Sequence, residues 1–252
     1  MTEKNEKSPI IGNIVDAFDI LDLLSQQETL GISSIATALN LPKTRVFRIV
    51  KSLEHVHAIK QADDTRYALD MHMLKYARGA HISGNIIDVA EPFIKEAVEK
   101  TGESINLGMA HNDDLVIIRR VHGEYYQLQT QLRPIGELYC SGMGKIFLAY
   151  RDEASLRQYY ENLPARTVHT INTYDKFLKE QQSILKNNIS ADREEFEYGL
   201  SCYAVPIFNK EGIPEYALSI SGPSTRLEYK NVEHLLDILK QCAEKIQNSF
   251  YI

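Results

Sequence analysis

Apolar residues recur at spacings of three and four through Ile11, Ile14, Val15, Phe18, Leu21 and Leu24. That pattern predicts an amphipathic helix over residues 10–26. "GISSIATALN" then offers Ser33 as the N-cap of a short helix carrying Ile35, Ala36 and Leu39. Asn40 ends that helix, and Pro42 suits the first turn of the next. The third helix turns Val46, Ile49, Val50 and Leu53 to one side. Two strand-like runs, 59–62 and 66–69, flank Asp63-Asp64-Thr65 as a hairpin with a polar tip. Three helices and a hairpin in this order predict a winged helix-turn-helix.

From "MHMLKYARG" the pattern stays helical up to Gly79. A second helix is predicted over 86–101, with Ile87, Ala90, Ile94 and Val98 as its stripe and Gly102 as its stop. Exposed apolar residues on the linker fit either dimerisation or packing against the next domain. Beyond 103 the period changes to two. "SINLGMAHNDDLVIIRRVHG" predicts two strands around a polar turn, and "YYQLQTQL" a third. "GMGKIFLAYRDEASLRQYY" and "YDKFLKEQQSILKNN" return to helix. "CYAVPIFNKEGIPEYALSISG" predicts a hairpin, and "EYKNVEHLLDILKQCAEKIQNSF" a long closing helix. Strands grouped in the middle and helices outside them predict an α+β domain with an antiparallel sheet. The expected organisation is two-domain: 1–70 for DNA binding, 71–84 as a linker helix and 85–252 for the second domain.

Charge sharpens the reading of the front part. The chain of 252 residues has a net charge of −6, yet Lys43, Arg45, Arg48 and Lys51 crowd one helix. Residues 1–78 hold ten basic and ten acidic residues, so the cations are concentrated rather than abundant. The outer face of the third helix shows Thr44, Arg45, Arg48, Lys51 and Ser52. A solvated helix face is the plain explanation of such a run. The preceding turn, the short helix before it and the hairpin after it favour double-stranded DNA. Cations near phosphates would give affinity, while Thr44, Arg45 and Arg48 would reach base edges.

Other chemistry is thin. Cys140, Cys202 and Cys242 lie far apart, and the eight histidines are scattered, so neither a disulfide framework nor a metal or other cofactor is implied. No apolar run reaches the roughly 18 residues of a membrane span. The polar start "MTEKNEKSPI" has no signal-peptide core, which points to the cytoplasm. "CSGMGK" fails the phosphate-loop pattern, because Tyr139 stands where a glycine is needed and Ile146 where a hydroxyl is needed. It still opens a helix, whose N-terminus favours an anion such as a carboxylate; a tight turn needing glycine explains it equally. Ala217, Ser219 and Ser221 share one strand face with Cys202 and Ala204 on the preceding strand. That small face is either a ligand pocket or a surface closely covered by a helix. Asp192, in the acidic "DREEFEYG", belongs to a solvated turn or faces a pocket. Cys202 has no histidine near it in sequence, which argues against a nucleophile.

With these pieces in order, the chain resembles the IclR family of bacterial transcription regulators over nearly its whole length. The resemblance is carried by "ISSIATALNLPKTRVFRIVKSLE", "VAEPFIKEAVEKTGESINLGMA", "CSGMGKIFLA" and "LSCYAVPIFNKEGIPEYALSISGPSTRL". It implies a GAF-like effector domain, a homodimer paired through the N-terminal region and often a dimer of dimers. It implies a small-molecule effector, an organic acid, at Gly142, Met143, Asp192, Leu200, Cys202, Ser219 and Ser221. Met143 departs from the small residue usual there, which implies a reshaped or smaller pocket. The short acidic wing turn leaves Arg66 as the phosphate contact. The expected function is a repressor of a catabolic operon. An enzyme acting on a small carboxylate and a constitutive DNA-binding protein with a purely oligomerising second domain are the rivals.

Overall fold

The computed structural model describes residues 10–79, 86–124 and 135–251. The predicted strand over 125–132 lies outside the described residues. The chain divides into two compact units, Met1–Ile82 and Ser83–Ile252.

In the first unit, α1 (Gly12–Gln26), α2 (Ile32–Ala38) and α3 (Lys43–His55) enclose a core of Ile20, Leu24, Ile35, Val46, Val50 and Ile59. The stripe on α1 splits in two. Leu21 and Leu24 are buried, while Ile11, Ile14, Val15 and Phe18 are 46–63% exposed. Gly31, not Ser33, stands at the N-cap of α2. The reason is a short strand β1 (Leu30–Gly31), which holds the chain extended up to that glycine by pairing with the hairpin. Asn40 takes a left-handed φ of 51°, which reverses the chain between α2 and α3. The hairpin strands are β2 (Ile59–Gln61) and β3 (Arg66–Leu69), and the sheet order is β1-β3-β2. Asp63 shapes the tip by accepting the N–H groups of Thr65 at 3.0 Å and Arg66 at 2.9 Å. A 3₁₀ turn (Met71–Met73) and α4 (Leu74–Gly79) follow, with Met71, Leu74 and Tyr76 exposed.

The second unit is built on a six-stranded antiparallel sheet. Its strands are β4 (Ser104–His111), β5 (Asp114–Val121), β6 (Ile135–Glu137), β7 (Ser190–Arg193), β8 (Leu200–Phe208) and β9 (Pro214–Pro223). Their order is β6-β5-β4-β9-β8-β7. Helices α5 (Ile86–Thr101) and α10 (Val232–Phe250) cover one face, where Ile94, Leu239 and Ile246 pack on Leu107, Leu218 and Ile220. The other face carries α6 (Gly142–Ala149), α7 (Glu153–Tyr159) and α8 (Tyr174–Asn187) over Ala204 and Ala217. A short α9 (Ser224–Tyr229) leads into α10. The helix expected from 142 to 160 is thus two, because Asp152 caps a new start by accepting the N–H of Ser155 at 2.9 Å. Asp192 is not in a solvated turn. It lies within β7, opposite Cys202 of β8, and is 3% exposed.

One irregularity decides what the sheet offers. Along β4 and β5, Leu107 pairs with Arg119 but Gly108 pairs with Ile117, so Ile118 is an extra residue. This β-bulge breaks the alternation of β5. Ile118 packs in the core under α5 and α10, and Arg119 bonds Glu91 of α5. Ile117 and Arg120 therefore both point to the opposite face.

Candidate functional site

Helix α3 shows Lys43, Thr44, Phe47, Arg48, Lys51 and Ser52 on its exposed side. Its cations are not equivalent. Arg45 is in ion-pair contact with Asp16 of α1, without the alignment of a good hydrogen bond. Lys51 bonds Glu54 at 2.7 Å and lies 5.5 Å from the centre of the Tyr67 ring. Arg66 is held by Asp63 at 2.7 Å. Among the described residues no ion pair occupies Lys43 or Arg48, and these two are open to an external phosphate or base. Phe47 is 49% exposed beside them, an apolar group that the charge pattern alone did not mark.

In the second unit a cavity of about 440 Å³ opens on the sheet face away from α5 and α10. Its floor is a bonded row across three strands. Arg120 Nε donates to Asn106 Oδ1 at 2.7 Å. Asn106 Nδ2 donates to Ser219 Oγ at 3.2 Å and Ser221 Oγ at 3.3 Å. The register explains the row, since Asn106 pairs with Arg120 on one side and Ser219 on the other. Leu115, Ile117, Leu200 and Phe196 make apolar walls. At the rim, Arg166 donates to Glu137 at 2.9 Å and to the Phe196 carbonyl at 3.1 Å, with its guanidinium 4.1 Å from the Phe196 ring centre.

Two ionisable groups at the cavity are displaced. Burial pushes the Asp192 carboxyl up to about 7, helped by the nearby Glu195 and opposed by Lys145 and by N–H donors. Those donors are Glu195 at 2.7 Å and Phe196 at 3.3 Å, both to Asp192 Oδ1, so this side chain shapes the turn that forms one wall. Burial pushes the Cys202 thiol up to about 12, which leaves it a poor nucleophile at neutral pH. Its exposed surface faces the cavity, not bulk solvent. Beneath the site, Lys145 of α6 is fully buried and bonds Glu180 at 2.9 Å and Glu195.

Residues 80–248 match the C-terminal domain of bacterial transcriptional regulator IclR, and residues 15–63 match the IclR helix-turn-helix domain. The chain belongs to the IclR family of bacterial transcriptional regulators. It is 31% identical over 255 residues to an uncharacterized HTH-type transcriptional regulator of Haemophilus influenzae, covering 96% of this chain and 95% of that one. It is 28% identical to the DNA-binding transcriptional repressor YiaJ of Escherichia coli, covering 98% and 91%. An IclR homolog from Microbacterium hydrocarbonoxydans, solved as a complex with 4-hydroxybenzoate, shares the fold. Its TM-score is 0.74 at 20% identity, over 94% of this chain and 97% of that one. As an IclR regulator the chain has a DNA-binding N-terminal domain and an effector-binding C-terminal domain. Among the described residues no helix is long and apolar enough to cross a membrane.

Of the effector positions implied by the resemblance to the IclR family, Asp192, Leu200, Cys202, Ser219 and Ser221 line the cavity. Gly142 and Met143 do not. Gly142 is pressed against β8, where an added methyl would lie 3.2 Å from the Cys202 carbonyl. Met143 is 3% exposed, and its thioether lies over Gly108 of β4. It fills core beside β4 and does not line the cavity. Both readings of the small-residue face therefore hold at once. Ala204 and Ala217 admit α6, and Ser219 and Ser221 face the opening. Asn106, Arg120 and Arg166 were not singled out in the sequence. Asn106 was within reach, because Ser104, Asn106 and Gly108 alternate with Ile105 and Leu107.

Proposed function

We propose that this IclR regulator is a repressor that binds a roughly palindromic operator as a homodimer and releases it when a small organic acid fills the cavity. One observation carries the reading: open cations Lys43 and Arg48 on an exposed helix share a chain with a polar-floored cavity. The DNA contacts are Lys43, Thr44, Phe47 and Arg48, with Lys51 and Arg66 reaching phosphates after exchanging their acidic partners. The apolar residues Ile11, Ile14, Val15 and Phe18 support a second copy of α1 as the dimer partner, and Met71, Leu74 and Tyr76 are further exposed apolar residues in the same unit. A dimer of dimers is compatible with the same surface. The cavity lies in a protein that acts on chromosomal DNA, so the effector is a cytoplasmic metabolite. It changes DNA affinity only by favouring one arrangement of the dimer, and a coupling of about 1–3 kcal/mol suffices. A positioned nucleophile is not available at Cys202, which disfavours an enzyme.

Gel-shift titration of the full-length protein against the intergenic DNA beside its own gene tests the reading. Specific retardation, reversed by a small acid, is the expected result. Retardation that no metabolite reverses would mean a constitutive binder, and turnover of an added acid would mean an enzyme.

A further inference from the structure

We propose that the ion pair between Arg166 and Glu137 is a gate at the mouth of the cavity, and that its opening decides by size which molecules reach the floor. The proposal rests on the cavity being a ligand site, yet its test needs no ligand, so the two can fail separately. The lining runs from buried to open. Asn106, Asp192 and Ser219 are buried, whereas the side chains of Arg166 and Glu137 are 36% and 45% exposed. The pair therefore stands where the cavity meets solvent.

The two sides of the mouth are built differently. One side is a pair of loops tied into a single body. Thr167 Oγ1 donates to the Glu194 carbonyl at 2.6 Å, and Thr170 Oγ1 to the Glu195 carbonyl at 2.8 Å. The Val168 N–H donates to Tyr198 Oη at 3.1 Å. Thr170 Oγ1 also accepts the N–H groups of Arg166 at 3.0 Å and Thr167 at 2.9 Å, which fixes the backbone that carries the arginine. Glu194 has a left-handed φ of 60°, a conformation that a non-glycine residue keeps only where its surroundings hold it. Arg166 is seated on this body, bonded to the Phe196 carbonyl and lying over the Phe196 ring. The other side is β6, a three-residue strand at the sheet edge that carries Glu137.

The bond from Arg166 Nη1 to Glu137 Oε1, at 2.9 Å, spans from one side to the other. An exposed ion pair is weak, so it breaks and re-forms readily. When it breaks, Phe196 still holds the guanidinium on its own side. Opening is then a side-chain movement that leaves both walls in place. A small molecule slips past the closed pair, and a bulky one waits for it to part.

Cys202 lines the cavity and reports entry. Full-length protein is treated with methyl methanethiosulfonate or the bulkier benzyl methanethiosulfonate, and each cysteine is followed by peptide mass spectrometry. Cys140 and Cys242 are buried outside the cavity lining and report unfolding in the same sample. Glu137→Gln and Arg166→Gln are each expected to speed benzyl labelling of Cys202 by about 2–5-fold and methyl labelling by less, with Cys140 and Cys242 unchanged. The double variant should be no faster than the faster single, because the same bond is broken in all three. Added salt should speed the benzyl reaction in the wild type and not in the variants. A Cys202 rate that is the same in all four proteins, equal acceleration for both reagents, or a double variant that multiplies the singles would overturn the gate. So would a Cys202 that reacts in none of them while the urea-unfolded chain is modified. A variant that labels all three cysteines has unfolded, and the salt dependence of the wild type then decides.

Discussion

Arg45 of α3 is paired with Asp16 of α1, so one of the four cations on this helix is tied to a neighbouring helix. The Arg45 side chain remains 42% exposed, and the pair is worth about 0–1 kcal/mol. Asp16→Asn is expected to cost no more than that in stability while freeing a charge for phosphate. Binding of non-specific duplex should tighten at low salt, and the slope of log affinity against log salt should steepen by about 0.9. A salt titration by fluorescence anisotropy reads it. An unchanged slope would place Arg45 away from the DNA.

Arg48 and Phe47 are adjacent and exposed, and they are expected to do different work. Arg48→Ala should weaken operator binding by about 1–3 kcal/mol if the guanidinium reads a base. Phe47 offers an apolar contact of the kind that recognises a thymine methyl. Replacing each operator thymine in turn by deoxyuridine should reveal one per half-site that matters to the wild type and not to Phe47→Ala. Equal sensitivity in both proteins would confine Phe47 to the protein side.

Asp192 is expected to make stability, and the affinity of an anion in the cavity, depend on pH. Its carboxyl is raised from 3.8 to about 7, so between those values the folded chain holds a proton that the unfolded chain has released. This contribution is complete below the lower value and is lost as pH rises through about 7. It amounts to a few kcal/mol at about 1.4 per unit. Asp192→Asn can still accept the Glu195 N–H, and its melting temperature should fall less than the wild type's between about pH 5 and 8. An anionic ligand in the same cavity favours the protonated form. Calorimetry should therefore show wild-type affinity rising as pH falls through about 7, and the Asn variant flat.

Lys145 holds two carboxylates under the cavity wall. Lys145→Met would leave Glu180 and Glu195 without their cation, at a cost of order 3–5 kcal/mol. Adding Glu195→Gln should recover part of it, because one buried charge is removed. Urea melts of the single and double variants measure the recovery. A double variant no better than the single would mean that Glu195 matters for its shape and not its charge.

The exposed stripe on α1 is expected to close on its own copy. Phe18→Asp places a charge in that stripe and should convert the protein to monomer in sedimentation equilibrium, with folding retained because Phe18 is 61% exposed already. An unshifted mass would move the dimer contact elsewhere.

The helical stripes and strand alternations were legible because burial imposes period 3.6 or 2 on each element separately. Helix 86–101 and the hairpin strands came out at their observed places for that reason. What failed depended on partners distant in sequence. Ser33 has the chemistry of a cap, but pairing of Leu30 and Gly31 with β3 starts the helix two residues earlier than a cap at Ser33 requires. Asp192 stayed open between a solvated turn and a pocket because acidic residues follow it, and its pairing with Cys202 on β8 places it on the buried side of that choice. Arg120 was hidden in the pair Arg119-Arg120 of a strand whose alternation breaks next to it. Asn106 gains meaning only beside Ser219, which is 113 residues away. Gly142 and Met143 mark a true helix start, and their close packing against β8 and β4 is something no local pattern encodes.

Met143 and Gly108 divide one volume between them. A methyl on residue 108 would come within 3.2 Å of the Met143 sulfur and terminal carbon, and within 3.1 Å of the Val116 carbonyl. Enlarging position 108 therefore needs both a shorter side chain at 143 and a shift of the Val116 carbonyl, while shortening Met143 alone leaves a cavity in the core. The two positions are energetically coupled, so changes at them are expected to be tolerated together more readily than singly.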